Sequence, residues 1–188
     1  MKEVTNKKQT QSARFKADGE HHLYFLIGLM GSGKTYWAQR LAGLLQTDWL
    51  DLDQQIEKAT NTTIREIFAS EGEEYFRAKE RDTLQQLSSV NSLVLACGGG
   101  TPCFYNNMQW MNDNGTTIWL HPDVDEMVTR LKRGKTKRPL IAHLDDEELK
   151  QFVIEKIKER EPFYAKAKHH LHGNDITLET FKQLFAHA

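Results

Sequence analysis

The run Gly28-Leu29-Met30-Gly31-Ser32-Gly33-Lys34-Thr35 gathers the residue types that hold phosphate. Its spacing is G-x-x-x-x-G-K-[ST]. Glycines let the backbone curl until its N–H groups face one point, and the N-terminus of a following helix adds positive potential there. Lys34 would carry a charge to the β- and γ-phosphates of a nucleotide, and the Thr35 hydroxyl would ligate Mg²⁺. A glycine-rich helix cap is the bland alternative. The apolar run Leu23–Ile27 before it and the helical spacing of Trp37, Leu41, Leu44 and Leu45 after it favour the nucleotide.

Four further groups could do chemistry. Asp51 and Asp53 stand one residue apart at the end of a predicted strand, where open α/β sheets bind ligands. One could hold Mg²⁺ through water and the other a substrate hydroxyl; a carboxylate pair capping the next helix is an equal alternative. Arg77 and Glu80 share a helix face. An arginine held by a glutamate suits a bidentate carboxylate clamp, although an ordinary helical ion pair is the commoner meaning of that spacing. Gly98-Gly99-Gly100 pack poorly but permit close backbone approach. Lys132, Arg133, Lys135, Lys137 and Arg138 form a basic run without an acid, either a solvated surface or the cations of a closing lid.

The elements that must position these groups follow from periodicity. Strands are predicted at Leu23–Ile27, Asp48–Asp53, Ser92–Cys97, Thr116–Leu120 and His169–His172. Helices follow the glycine-rich run, start again at Gln54 and at about Glu73, and span Asp123–Arg133, Asp146–Arg160 (halted near Pro162) and Leu178–Ala186. Alternation of the two predicts an α/β fold, a three-layer α/β/α sandwich around a mostly parallel five-stranded sheet of the P-loop kinase type. Residues 1–22 read as a polar, flexible leader, 23–188 as a single domain, and about 133–147 as a mobile lid. The 188 residues carry a net charge of −1, which gives no global attraction for nucleic acid. No apolar run reaches membrane-spanning length, no secretory signal is visible, and two cysteines suit a reduced cytoplasmic setting.

Taken together and in order, these motifs resemble the shikimate kinase family from about Leu23 to Tyr164. The resemblance rests on Gly28–Thr35, Asp51-Leu52-Asp53, Ile67-Phe68, Gly72-Glu73, Phe76-Arg77 to Glu80, Gly98–Gly100, Arg138-Pro139-Leu140-Ile141 and Arg160-Glu161-Pro162-Phe163-Tyr164. It implies a monomeric, Mg²⁺-dependent enzyme that phosphorylates shikimate from ATP. Asp53, Lys34 and Arg138 would be catalytic. Gly31, Ser32, Gly33, Lys34, Thr35, Tyr36, Arg133 and Arg138 would bind ATP, with Arg133 over the adenine. Asp53, Phe68, Phe76, Arg77, Gly98, Gly99, Gly100 and Arg160 would bind shikimate, and Thr35 and Asp51 would hold the metal. Tyr36 and Cys97 depart from the family, which often has a small hydroxyl residue at each position. A gluconate-type kinase and an ATP-binding regulator without turnover are the competing readings. The regulator is disfavoured because Lys34, Asp53 and Arg138 are all present.

Overall fold

The computed structural model describes residues 22–135, 138, 140–173 and 176–185. The leader, Lys137 and Pro139 therefore lie outside the described residues, apart from His22. In chain order the elements are β1 (His22–Ile27), α1 (Lys34–Leu45), β2 (Asp48–Asp51), α2 (Leu52–Thr60), α3 (Ile64–Ser70), α4 (Gly72–Gln86), β3 (Ser92–Ala96), α5 (Asn107–Asn114), β4 (Thr116–His121), α6 (Val124–Lys132), α7 (Asp146–Tyr164), β5 (His169–His172) and α8 (Leu178–Phe185). The five strands form one parallel sheet in the order β2-β3-β1-β4-β5.

Central strands read as continuous apolar runs because both their faces are covered. Phe25, Ile27, Leu93, Leu95 and Trp119 face a core closed by Ile56 of α2, Ile67 of α3, Leu84 of α4, Met111 of α5 and Tyr164 of α7. Leu26, Val94, Ala96, Ile118 and Leu120 face Ala38 and Leu41 of α1 and Phe181 and Phe185 of α8. This is the predicted three-layer sandwich. A third, smaller cluster packs Leu29 against Met127, Val128 and Leu131 of α6, Ile141, and Leu149 and Val153 of α7. Among the described residues no helix is long and apolar enough to cross a membrane.

Several boundaries differ from the sequence expectation. The second strand stops at Asp51, so Asp53 sits in the first turn of α2. The helical stretch from Gln54 is two helices: α2 ends at Asn61, which takes a left-handed conformation (φ 51°), and a capping box between Thr63 and Glu66 starts α3. Pro162 does not halt α7. A proline withholds one N–H, and the turn beyond it still closes through Ala165 N donating to Glu161 O at 2.8 Å. The final helix is described as far as Phe185, and Ala186 lies outside.

The order of the strands fixes the site. β1, β3 and β2 are consecutive neighbours. Their carboxyl ends lead respectively into the phosphate-binding run, the three glycines and the Asp51–Asp53 turn, so three segments distant in sequence meet along one sheet edge.

Candidate active site

The loop from β1 to α1 is forced to be glycine at its start. Gly28 has φ 138°, and a Cβ there would lie 2.5 Å from the Leu120 carbonyl oxygen. The loop curls so that Lys34 Nζ donates to the carbonyls of Gly28 (2.9 Å) and Leu29 (3.1 Å). That tether holds the ammonium inside the curve of the loop. Burial lowers the Lys34 pKa to about 8, although Asp53, Cys97 and Asp51 pull the other way. Ser32 is buried, and its hydroxyl oxygen has no hydrogen-bond partner among the described residues.

Asp51 is the N-cap of α2. Its Oδ1 accepts from the backbone N–H of Asp53 (3.1 Å) and Gln54 (3.4 Å), and its Oδ2 accepts from Thr35 Oγ1 at 2.7 Å. One carboxylate thus joins the end of β2 to the start of α1. Thr35 and Asp51 place two hard oxygen donors side by side beside Lys34. That fits Mg²⁺, which takes few protein oxygens and fills its remaining positions with phosphate and water. Among the described residues no group of three or more His, Cys, Asp or Glu could hold a metal without such help.

Asp53 is not the cap, which frees its carboxylate for other work. Burial, with the neighbouring carboxylates Asp51 and Glu80, raises its pKa to about 6 against the pull of Lys34 and Arg77. A carboxylate tuned towards neutrality is suited to accept a proton from a hydroxyl.

The three glycines are explained one by one by what lies against them. A Cβ on Gly98 would fall 2.7 Å from Glu80 Oε1 and 2.9 Å from Asp53 Oδ1. On Gly99 it would fall 3.1 Å from Arg160 Nη1, and on Gly100 2.6 Å from both terminal nitrogens of Arg77. Each glycine gives way to a different charged side chain. Arg77 is fixed by Glu80 Oε2 (2.9 Å from Nη1) and by Glu73 Oε1 (3.2 Å from Nε, 3.1 Å from Nη2). Glu80 is fully buried and also accepts from Thr101 Oγ1 at 2.5 Å. On α7, one turn beyond Arg160, the Tyr164 hydroxyl donates to Gly99 O at 2.5 Å. Phe76 is buried with its ring 4.7 Å from that of Phe68, which is partly exposed.

A cleft of about 370 Å³ runs along the phosphate loop, lined by Gly31, Gly33, Lys34, Thr35, Tyr36, Asp51, Asp53, Cys97, Gly98, Gly99, Arg130 and Arg138, with Met30. Arg77, Arg160 and Gly100 are not among its lining residues. They abut the same glycine loop, beyond the part that lines the cleft. Arg138 leans on Gly134, where a Cβ would lie 2.7 Å from its Nη1. Tyr36 is exposed at the rim with the Arg40 guanidinium 4.1 Å from its ring centre. Arg133, expected over the adenine, follows the last turn of α6 with an exposed side chain and does not line the cleft. Arg130, one turn earlier, does: its Nη1 donates to Gly31 O at 3.2 Å and its Nη2 to Glu126. Sequence reasoning missed Arg130 because a Glu126–Arg130 pair at i, i+4 reads as a surface ion pair. It gave no role to Glu73, named only as part of the Gly72-Glu73 motif, or to Thr101, whose only signal was its position directly after the glycines.

Cys97 lines the cleft yet is 2% exposed, with Sγ 3.7 Å from Met111 Sδ. Burial pushes its thiol pKa far up. It is a packing residue at the position where a hydroxyl was the family expectation.

A parallel sheet with a lysine-bearing phosphate loop after its first strand, a Thr–Asp oxygen pair and a separate cluster of arginines defines a P-loop phosphotransferase. A family model described as shikimate kinase matches residues 30–187. The shikimate kinase of Phocaeicola vulgatus is 40% identical over 152 residues, covering 81% of this chain and 87% of that one. Among solved structures, the shikimate kinase of Bacteroides thetaiotaomicron superimposes with a TM-score of 0.83 at 33% identity, covering 88% of this chain and 98% of that one. A shikimate kinase from Acinetobacter baumannii in complex with shikimate gives 0.81 at 33% identity, with 93% and 98% coverage. The chain belongs to the shikimate kinase family.

Proposed function

We propose that the protein transfers the γ-phosphoryl group of ATP to the 3-hydroxyl of shikimate, giving 3-phosphoshikimate and ADP. The observation that carries this is the division of labour along the glycine run: an acid–base carboxylate against Gly98, and an arginine against each of Gly99 and Gly100. A ring acid with vicinal hydroxyls presents the matching groups, a carboxylate at one end and a nucleophilic hydroxyl at the other.

The loop amides, Lys34 and Arg138 hold the phosphates and balance the charge that develops between the β- and γ-phosphates. Thr35 and Asp51 would hold Mg²⁺, which would supply further charge neutralisation. Asp53 orients the attacking hydroxyl and accepts its proton as the new O–P bond forms and the bond to the ADP oxygen breaks. Arg77 and Arg160 clamp the shikimate carboxylate, and Phe68 and Phe76 pack beside the ring. Gly31, Ser32, Gly33 and Tyr36 border the nucleotide. The segment 133–147 closes over the site and excludes water, so that phosphate goes to the sugar-like hydroxyl. The working unit in this reading is a monomer. Two free cysteines suit the cytoplasm.

The test is ADP release coupled to a chromogenic reporter with Mg-ATP and a panel of acceptors. Shikimate should drive turnover, and gluconate and nucleoside monophosphates should give little above the rate without acceptor. Equal rates across the panel would remove the substrate assignment and leave the P-loop class.

A further inference from the structure

The Arg77 guanidinium has five N–H donors. Three are given to Glu73 and Glu80, which leaves one on each terminal nitrogen for a ligand. A fork with two donors uncommitted among the described residues is useful only if its plane is fixed. The two glutamates fix its edge, and its faces are held by other means. The Gly100 backbone lies against it, Cζ is 5.0 Å from the Phe76 ring centre, and Cζ is 4.3 Å from the ring centre of Phe104.

Phe104 is a large apolar residue that stays 37% exposed. The chain strains to put it there. After the turn Thr101–Cys103, Phe104 is extended (φ −122°), and then Tyr105 (φ 47°) and Asn106 (φ 58°) are both left-handed. Two consecutive non-glycine residues in that region are unusual, and such strain gathers at functional sites. The surroundings enforce it. Asn107 is fully buried and its Nδ2 donates to Thr101 O at 3.0 Å, its N–H donates to Phe104 O at 2.9 Å, and the Arg81 guanidinium sits 4.9 Å from the Tyr105 ring centre. The reversal turns the Phe104 ring back onto α4, over Arg77.

We propose that Phe104 is a positioning residue for the acid end of the substrate: its ring stacks on the Arg77 guanidinium, aims the two free N–H groups into the site and keeps water off the pair they form. The inference rests on Arg77 being the carboxylate clamp. An arginine over an aromatic face gains more as its surroundings dry, so the contact strengthens when substrate shields it.

The experiment is a double-mutant cycle in steady-state kinetics, with Phe104→Ala, Phe104→Leu, Phe104→Tyr and each in the Arg77→Ala background. Phe104→Ala should raise the KM for shikimate about tenfold, while kcat and the KM for ATP stay within about twofold. Phe104→Leu keeps bulk without a π face and should behave like Phe104→Ala; Phe104→Tyr should restore the wild-type KM. In the Arg77→Ala background the effect should largely vanish. An unchanged KM in Phe104→Ala, an equal rise with and without Arg77, or a joint fall in kcat and ATP affinity would each overturn the proposal. Wild-type turnover with shikimate is read in the same assay, so a wrong substrate shows there first; the cycle is then run with whichever carboxylic acid of the panel is phosphorylated, and the same KM criteria decide.

Discussion

Gly100 and Arg77 lie in such close contact that a single methyl on the glycine would fall 2.6 Å from both terminal nitrogens of the guanidinium. The arginine cannot simply swing aside, because Glu73 and Glu80 hold three of its donors. Gly100→Ala should therefore leave the fold intact and displace the fork. A displacement of about 1 Å at a positioning group can cost up to about a hundredfold, so the KM for shikimate should rise ten- to a hundredfold. Gly43 is the control. It lies exposed in α1 with nothing within 4 Å of an added Cβ, so Gly43→Ala should raise stability by about 0.5–1 kcal/mol without touching kinetics. Parallel Tm and KM measurements separate the two.

Asp53→Asn should remove nearly all turnover and make the protein more stable. The sign follows from the raised pKa of about 6. Below about pH 4 the carboxyl is protonated in both folded and unfolded chains and costs nothing. As pH rises to about 6 the unfolded chain ionises first, and above that the full penalty of the ionised, partly buried group applies, of order 1–3 kcal/mol. The Tm advantage of the variant should be present at pH 7.5 and fade towards pH 4. In the wild type, turnover should fall below about pH 6 as Asp53 gains its proton, and kcat/KM for ATP should fall above about pH 8 as Lys34 loses its own. A variant with near-normal turnover would reduce Asp53 to a structural group.

Much of this site is legible in the sequence because its chemistry is local. The phosphate loop is one contiguous run, and the apolar strands before it and before the glycines announce themselves by being buried on both faces. What stays hidden depends on tertiary placement. α5 escapes because its asparagines are poor helix formers and it buries only Asn107, Met108 and Met111. The role of each glycine in 98–100 cannot be seen until Asp53, Arg160 and Arg77 arrive from three helices. Phe104 is equally invisible, since no composition signals a left-handed Tyr105. Arg130 and Arg133 are three apart, a spacing that shares a helix face, so sequence alone does not separate them; α6 ends at Lys132, and only Arg130, inside it, lines the cleft.

Arg138 lines the cleft, whereas Arg133 is exposed and does not line it. Arginines that meet developing phosphoryl charge are worth about 10³–10⁵ in rate in other P-loop enzymes. Arg138→Ala should lower kcat at least about a hundredfold with little change in shikimate affinity. Arg138→Lys should recover only part, because a point charge lacks the planar fork. Arg133→Ala should be mild. Single-turnover rates at saturating ATP decide it; equal effects at 133 and 138 would make the basic run a charged surface.

In the proposed reaction the γ-phosphoryl group goes to one hydroxyl of a ring acid held by its carboxylate. The direct measurement is ³¹P and ¹H NMR of a reaction in which equimolar shikimate and gluconate compete for Mg-ATP. One new phosphomonoester signal, coupled to the proton on C3 of shikimate, should grow in step with ADP while gluconate stays unmodified. ADP accompanied only by inorganic phosphate, or gluconate phosphorylated as readily as shikimate, would contradict the proposed reaction.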